Sequence, residues 1–308
     1  MLRRRIRINA VRVFATICLV MNGGSYCNNA ACADDSSPSS QTKNILPETT
    51  EQGDKSIKTK DTIHGATDPD ADFAKIDELM VRCDTYPALD LLTKYIAKHP
   101  HSAKAYYKRG CEYRFINRFT LALKDLNKAI ELDPHCDGAY FERGLYYLGT
   151  KDYKRAIEEY SKAITENRKN AEYLGSRGKL YTLMHENDKA IKDFSEAINV
   201  DPKPRWAYIQ RGITYQSMNS FAPAHADFDK VVSLDENDFN GYELRGLCEM
   251  KMKKYDEAIK DFSKVIQLSP DYAGGFIYRA RAYEALDGKG CKAAAKDWAV
   301  AKKHGYTP

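Results

Sequence analysis

The sequence predicts an all-α fold: a solenoid of repeated antiparallel helix pairs. Three observations predict it. Residues 103–136, 137–170, 171–204, 205–238 and 239–272 align without a gap as five units of 34 residues, and a period of this length is the signature of a repeat architecture. Within each unit, apolar and small residues recur at helical spacing in two separate stretches. A proline closes the second stretch in several units, at Pro100, Pro134, Pro202 and Pro270, and proline does not continue a helix. A sixth unit spans 273–308 with about two extra residues around Gly288–Cys291, and a degenerate unit precedes the five at 69–102.

In chain order, residues 1–33 are expected to be an export signal. Arg3, Arg4, Arg5 and Arg7 form a basic start, Val13 to Met21 a short apolar core, and Ala31 and Ala33 the small residues read at a cleavage site after Ala33. The expected location is therefore outside the cytoplasm, periplasmic or secreted. Lipid anchoring through Cys27 or Cys32 is the less favoured alternative, because Asn29 stands where an aliphatic residue would be needed. Of 48 basic residues, five arginines lie in this segment, which contains no acid; the remainder is 43 basic against 43 acidic. A protein with no net charge has no broad field to steer polyanions, so nucleic acid is not an expected partner. No apolar run approaches the roughly 18 residues a membrane-spanning helix needs. Residues 34–68 are rich in Ser, Thr, Lys and Asp and lack aromatics, which suits a disordered linker. Its only apolar cluster is Ile45-Leu46-Pro47.

The first helix of each unit is defined by a large residue at position 4, a small one at position 8 and an aromatic one at position 11. They are Tyr106, Gly110 and Tyr113 in one unit and Tyr208, Gly212 and Tyr215 in another, with Glu249 the exception at position 11. These positions share a helix face. The second helix carries alanine at position 20 (Ala122, Ala156, Ala190, Ala224, Ala258), a bulky residue at 24 (Leu126, Tyr160, Phe194, Phe228, Phe262) and Ala or Val at 27. Glycine at 8 and alanine at 20 let the two backbones approach, with the large residues filling either side. A single pair cannot bury its apolar face alone, so stacking of neighbours completes the core. The first unit departs most: Ile76 takes the small position and Tyr95 the alanine position, which suits an N-terminal cap. The last unit ends on a helix bearing Lys292, Lys296, Lys302 and Lys303, expected as a polar cap for the exposed end.

Two charged positions are as regular as the core. Position 7 is Arg109, Arg143, Arg177, Arg211, Arg245 and Arg279; position 23 is Asp125, Glu159, Asp193, Asp227, Asp261 and Asp297. The constant spacing predicts a ladder of bidentate salt bridges between first and second helices. The alternative is six independent solvated pairs worth roughly 0–1 kcal/mol each.

The pattern resembles the tetratricopeptide repeat (TPR) family over about 240 of the 308 residues. The arginine at position 7 departs from it, since the family usually has leucine there. The resemblance implies a right-handed superhelix whose concave face is lined by the first helices, with positions 5 and 9 among those facing the groove. The candidate partner-binding residues are then Tyr107, Phe141, Ile209, Glu243 and Ile277 at position 5, and Cys111, Leu145, Lys179, Ile213, Leu247 and Arg281 at position 9. A contiguous apolar strip marks an interaction site, so the expected ligand is an apolar peptide or helix of a partner protein, with Lys179, Glu243 and Arg281 as polar selectors. The competing reading is that these residues pack against adjacent first helices. No unit pairs lysine at 5 with asparagine at 9, so a clamp for a C-terminal carboxylate is not expected.

Nothing in the sequence assembles a catalytic site: there is no phosphate-binding glycine loop, HExxH or GxSxG. Five cysteines lie beyond the signal (Cys83, Cys111, Cys136, Cys248, Cys291), an odd number that makes no disulfide framework; Cys83 with Cys111 is the one pairing entertained. His99, His101, His135 and Cys136 are expected to be exposed loop residues rather than metal ligands, and no cofactor is implied. The functional expectation is a non-catalytic protein-interaction scaffold. The alternatives are a self-assembling structural protein stacking through solenoid ends or concave faces, and an accessory subunit of an envelope enzyme complex.

Overall fold

The structure is a computed structural model and describes residues 69–201 and 204–306. The expected export signal and linker lie outside the described residues. Among the described residues there are fourteen helices and no strand: α1 Pro69–Val81, α2 Thr85–Lys98, α3 Ala103–Phe115, α4 Phe119–Leu132, α5 Asp137–Gly149, α6 Tyr153–Glu166, α7 Ala171–Leu183, α8 Asn187–Val200, α9 Arg205–Ser217, α10 Phe221–Leu234, α11 Phe239–Lys251, α12 Tyr255–Leu268, α13 Ala273–Asp287 and α14 Lys292–Lys303. Consecutive helices pair, as the repeat predicts. The chain divides into two compact units, one holding α1–α2 and the other α3–α14.

The α1–α2 pair closes over Ile76, Ala88 and Leu92, all fully buried. Tyr95 packs edge-on against Phe73 with ring centroids 4.6 Å apart. Large residues at positions that are small in the other units thus build this pair's own core.

In the α3–α14 stack, the glycine at position 8 receives the side chain at position 24 of the same pair. A Cβ on Gly144 would sit 2.6 Å from the Tyr160 ring; on Gly178, 2.8 Å from Phe194; on Gly212, 2.6 Å from Phe228; on Gly246, 2.8 Å from Phe262. Each ring is fully buried. The glycine therefore makes room for an aromatic knob rather than relaxing the backbone. Position 3 of a first helix packs on positions 27 and 28 of the preceding second helix: Gly241 faces Val231 and Val232, and Gly275 faces Val265 and Ile266.

Helix starts are capped by side chains in four cases: Ser102, Asp152, Asn170 and Asp238 accept from the N–H groups of Ala105, Arg155, Glu172 and Asn240. The turn inside each pair is less obvious from composition. Cys83, Asn117, Lys151, His185, Asn219 and Lys253, all at position 15, have φ between 57° and 60° or just above, at 62°. The next residue's N–H then reaches back five residues, as in Arg118 to the Tyr113 carbonyl at 2.7 Å and Lys254 to the Glu249 carbonyl at 2.9 Å. This left-handed C-terminal cap normally favours glycine, yet none of the six is glycine.

One consequence is testable. The left-handed region costs a non-glycine residue about 1–2 kcal/mol, and Lys253 is exposed. Lys253→Gly is expected to raise stability by up to about 1 kcal/mol after the extra unfolded-state entropy of glycine is counted. The same change at exposed Lys260, inside α12, should lower stability by about 1 kcal/mol. Urea unfolding of both variants checks the pair.

Candidate functional site

The position-7 arginines form the rigid part of the first-helix surface. Nε and Nη2 donate to the two carboxylate oxygens at 2.6 and 3.0 Å in Arg109–Asp125, 2.8 and 2.8 Å in Arg177–Asp193, 2.9 and 2.6 Å in Arg211–Asp227, 2.8 and 2.8 Å in Arg245–Asp261, and 2.7 and 2.7 Å in Arg279–Asp297. In Arg143–Glu159 both nitrogens meet one oxygen, Oε2, at 2.7 and 2.6 Å. The acids are buried and the arginines nearly so, with side-chain exposures of 4–8% and 15–22%. The expected ladder is present, and its pairs are not solvated.

The ladder also has a rung that the 16-residue spacing within units did not predict. The remaining nitrogen, Nη1, donates to position 25 of the preceding second helix: Arg143 to Asn127 at 2.9 Å, Arg177 to Ser161 at 3.0 Å, Arg211 to Ser195 at 2.9 Å, Arg245 to Asp229 at 2.6 Å and Arg279 to Ser263 at 3.0 Å. One guanidinium thus joins three helices. The position-4 tyrosines lie beside it, with Tyr106, Tyr140, Tyr208 and Tyr242 centroids 5.6, 5.6, 5.7 and 5.6 Å from the guanidinium carbon. These are cation–π distances.

The candidate groove residues divide between packing and exposure. Tyr107 lies against Gly138 of the next first helix, where a Cβ would come within 2.6 Å of its hydroxyl. Cys111 neighbours Tyr107; burial, then the Glu142 charge, pushes its thiol well above the usual range. Phe141 is buried between Tyr160 and Tyr173, with centroids 5.5 and 4.7 Å away. Leu145 and Leu247 are partly buried, the first in the Tyr160 cluster and the second in the Phe262 cluster. Ile209 and Ile277 are half-buried, and Arg281 is exposed. Ile213 is 38% exposed. Lys179 lies with Nζ 5.9 Å from the Trp206 ring, and burial pushes its ammonium pKa down. Burial pushes the Glu243 carboxyl up, against a hydrogen bond from Tyr272 that lowers it.

Sequence reasoning missed several neighbours of this surface. Arg114 on α3 pairs with buried Glu142 on α5, Nη2 to Oε1 at 3.2 Å. Trp206 covers Gly175, where a Cβ would be 2.3 Å from the ring. The available signal was a glycine in one unit facing an aromatic residue in a neighbouring unit, as in both Tyr107–Gly138 and Gly175–Trp206. Phe115 and Leu183, at position 13, are 60% and 51% exposed and add apolar area at the C-terminal ends of α3 and α7.

The exception at position 11 is explained by a second one. Glu249 is buried and accepts from or shares a proton with His225 Nε2 at 3.0 Å across the joint between α10 and α11. At other joints position 21 of the preceding unit is Leu123, Ile157, Ile191 or Ile259, and position 11 of the following unit is Tyr147, Tyr181, Tyr215 or Tyr283. One joint therefore carries an ionisable pair at the two positions that are aliphatic and tyrosine elsewhere. Burial is the main cause that pushes the Glu249 carboxyl up, opposed by His225 and Arg245 and reinforced by Asp261.

Cys111, Cys136, Cys248 and Cys291 are free thiols, so the Cys83–Cys111 pairing is not made. These two residues lie at the turn after α1 and within α3, not at facing positions of one pair. His135 is exposed and meets Glu166 at 2.8 Å. Among the described residues no group of three His, Cys, Asp or Glu side chains is placed to hold a metal ion, and no helix is long and apolar enough to cross a membrane.

Comparison with known proteins agrees with this geometry. Tetratricopeptide repeat family models match residues 107–171, 171–204 and 240–272, so these segments are similar in sequence to tetratricopeptide repeats. No curated protein matches it significantly in sequence. Among solved structures, the C-terminal part of a TPR repeat-containing protein from Cytophaga hutchinsonii aligns with a TM-score of 0.67 and 19% identity, over 77% of this chain and 96% of that one. A tetratricopeptide repeat protein from Parabacteroides merdae aligns at 0.53 and 22%, over 78% and 94%. YrrB, described as a TPR protein with an unusual peptide-binding site, aligns at 0.51 and 20%, over 58% and 92%. At these identities the likeness is one of fold.

Two predictions follow from the ladder and the joint. Removing one member of a buried pair costs about 3–5 kcal/mol, so Asp193→Leu should destabilise strongly. Arg177→Leu with Asp193→Leu should cost less than the sum of the single changes by about 0.5–3 kcal/mol; additive losses in a denaturation cycle would count against the ladder. The Glu249 carboxyl is raised in the fold from 4.5, so its stabilising contribution is complete below the unfolded pKa and is lost as pH rises through the folded one. The double variant His225→Ile/Glu249→Tyr, which restores the repeat pattern, should therefore gain on the wild type in melting temperature from pH 4.5 to pH 7. A constant difference across that range would show that the pair does not couple to protons.

Proposed function

We propose that this protein is a non-catalytic protein-interaction scaffold that binds an apolar peptide or helix of a partner on its first-helix surface. The single observation that carries this reading is the exposure of Ile213 at 38%, on a first helix between half-buried Ile209 and polar Gln216. The core of the same pair is fully closed elsewhere: Gly212 holds Phe228, and Phe228 is 0% exposed. An aliphatic side chain left in water beside a completed core, with Trp206 about two turns away and its partner Lys179 one repeat away, offers apolar area flanked by a polar group that can orient a ligand. The rigidity of the arginine ladder supports the reading, since a preorganised surface loses little on binding.

Tyr107 and Phe141 contribute by shaping the surface, because both pack on neighbouring helices. Ile213, Lys179 and Arg281 are the contact residues. The scaffold acts outside the cytoplasm in this proposal, on the strength of the basic, apolar and small-residue order of residues 1–33. Mass spectrometry of the mature N-terminus tests that element, with Asp34 the expected first residue.

The binding reading is tested by crosslinking and affinity recovery from the native envelope fraction. Lys179→Glu with Ile213→Glu should leave the melting temperature within a few degrees of wild type and reduce recovery of the specific partner at least tenfold. Full recovery by the folded double variant would overturn the assignment of this surface.

A further inference from the structure

The last helix, α14, presents a face that every other second helix of the stack gives to the following first helix. That face is defined by three positions. Position 21 meets position 11 of the next unit, as His225 meets Glu249. Position 25 accepts from the next unit's arginine, as Ser263 does from Arg279. Position 28 packs under position 3, as Val232 and Ile266 do under Gly241 and Gly275. Allowing for the two-residue insertion, which the Arg279–Asp297 pair fixes at a separation of 18, the same positions in α14 are Ala295, Ala299 and Lys302.

These three residues, with Trp298 and Tyr306, line an open cavity of about 450 Å³. Its floor is apolar and rigid. Trp298 is held by donating from Nε1 to Glu284 at 3.0 Å, and Tyr306 stacks on its ring at 5.8 Å. Its surroundings are cationic. Lys292, Lys296, Lys302 and Lys303 are exposed, and none of them forms an ion pair among the described residues. The only acid of the helix, Asp297, is committed to Arg279.

We propose that this end face docks an amphipathic helix of another protein, with an apolar stripe seated on Ala295, Ala299 and Trp298 and acidic residues along the edge facing Lys296, Lys302 and Lys303. Burying an apolar stripe against such a floor is the same contact that joins successive repeats, and the surrounding lysines select the sign of the rim. A first helix of a second copy fits less well. First helices α3, α5, α7, α9, α11 and α13 each carry arginine at position 7, and that arginine needs an acceptor at position 25, where Ala299 has none. It would also approach Lys302 with the same charge.

The experiment uses the full chain with Trp206→Phe, which leaves Trp298 as the sole tryptophan. Two synthetic 15-residue helical peptides share one leucine stripe and differ in having glutamate or lysine at the flanking positions. Titration with the glutamate peptide should give a saturable blue shift of Trp298 emission and bind at least tenfold more tightly than the lysine peptide. Lys296→Glu with Lys302→Glu should reverse that preference, and Ala299→Phe, which fills the cavity without changing charge or adding a second tryptophan, should abolish binding of both while preserving the melting curve. Absence of a saturable shift, or equal affinity for both peptides that charge reversal does not alter, would overturn the proposal. So would a concentration-dependent Trp298 shift without peptide that tracks dimer formation in sedimentation equilibrium, since the occupant would then be a second copy.

Discussion

The interaction on which the rest of the stack depends is the three-way anchorage of a buried guanidinium. Each position-7 arginine is fixed to its own second helix by two hydrogen bonds, and in five cases to the preceding second helix by a third. An arginine has the fixed fork needed to satisfy both directions at once; a lysine has not. The desolvation cost of burying the charge is offset by the carboxylate in all six pairs, by a position-25 acceptor in five and by a flanking tyrosine ring in five. This arrangement sets the spacing between successive pairs as well as within each pair. Stacking in a repeat array is otherwise a sum of nearest-neighbour apolar contacts, and such contacts tolerate sliding. The hydrogen-bonded fork does not.

The core around that anchor is built by complementary size. Where position 8 is glycine, position 24 is a ring or leucine whose side chain occupies the space a Cβ would take. Aligning the units on one another was enough to read this, because both residues recur at fixed offsets within a unit. The same holds for the arginine–carboxylate pairs. The third hydrogen bond was hidden because its acceptors are Asn127, Ser161, Ser195, Asp229 and Ser263. They share the ability to accept a hydrogen bond but not a residue type, and they sit in a different unit from the donor. The turn residues were hidden for the opposite reason. A left-handed backbone usually announces itself as glycine, and here lysine, histidine and asparagine adopt it because the bonds of the turn over-determine the conformation.

The groove was the least legible part. Family position numbers select the face of a helix, but whether a residue on that face is exposed depends on the neighbouring unit. Phe141 is buried because Tyr173 reaches it, and Tyr107 is packed because Gly138 lets it in. Ile213 stays exposed although it occupies the same position as Leu145 and Leu247, which neighbouring clusters partly cover. A pattern read within single units cannot contain this information.

Departures from the repeat therefore have two distinct meanings, and the joint partner separates them. Glu249 breaks the tyrosine pattern, but His225 breaks the aliphatic pattern at the residue it touches, so the pair is a compensated exchange inside the fold. Ala295, Ala299 and Lys302 break the pattern with no compensating helix in the described chain. Small residues at two of these positions leave the face open, and Lys302 sets a charge beside it. Charge follows the same division. Along the stack, the position-7 arginines are paired with buried acids. At α14 the lysines are left without acids, so the electrostatic character of the surface is concentrated where the repeat ends. The charge selection proposed for the end face rests on this uncompensated cluster of lysines beside an apolar floor.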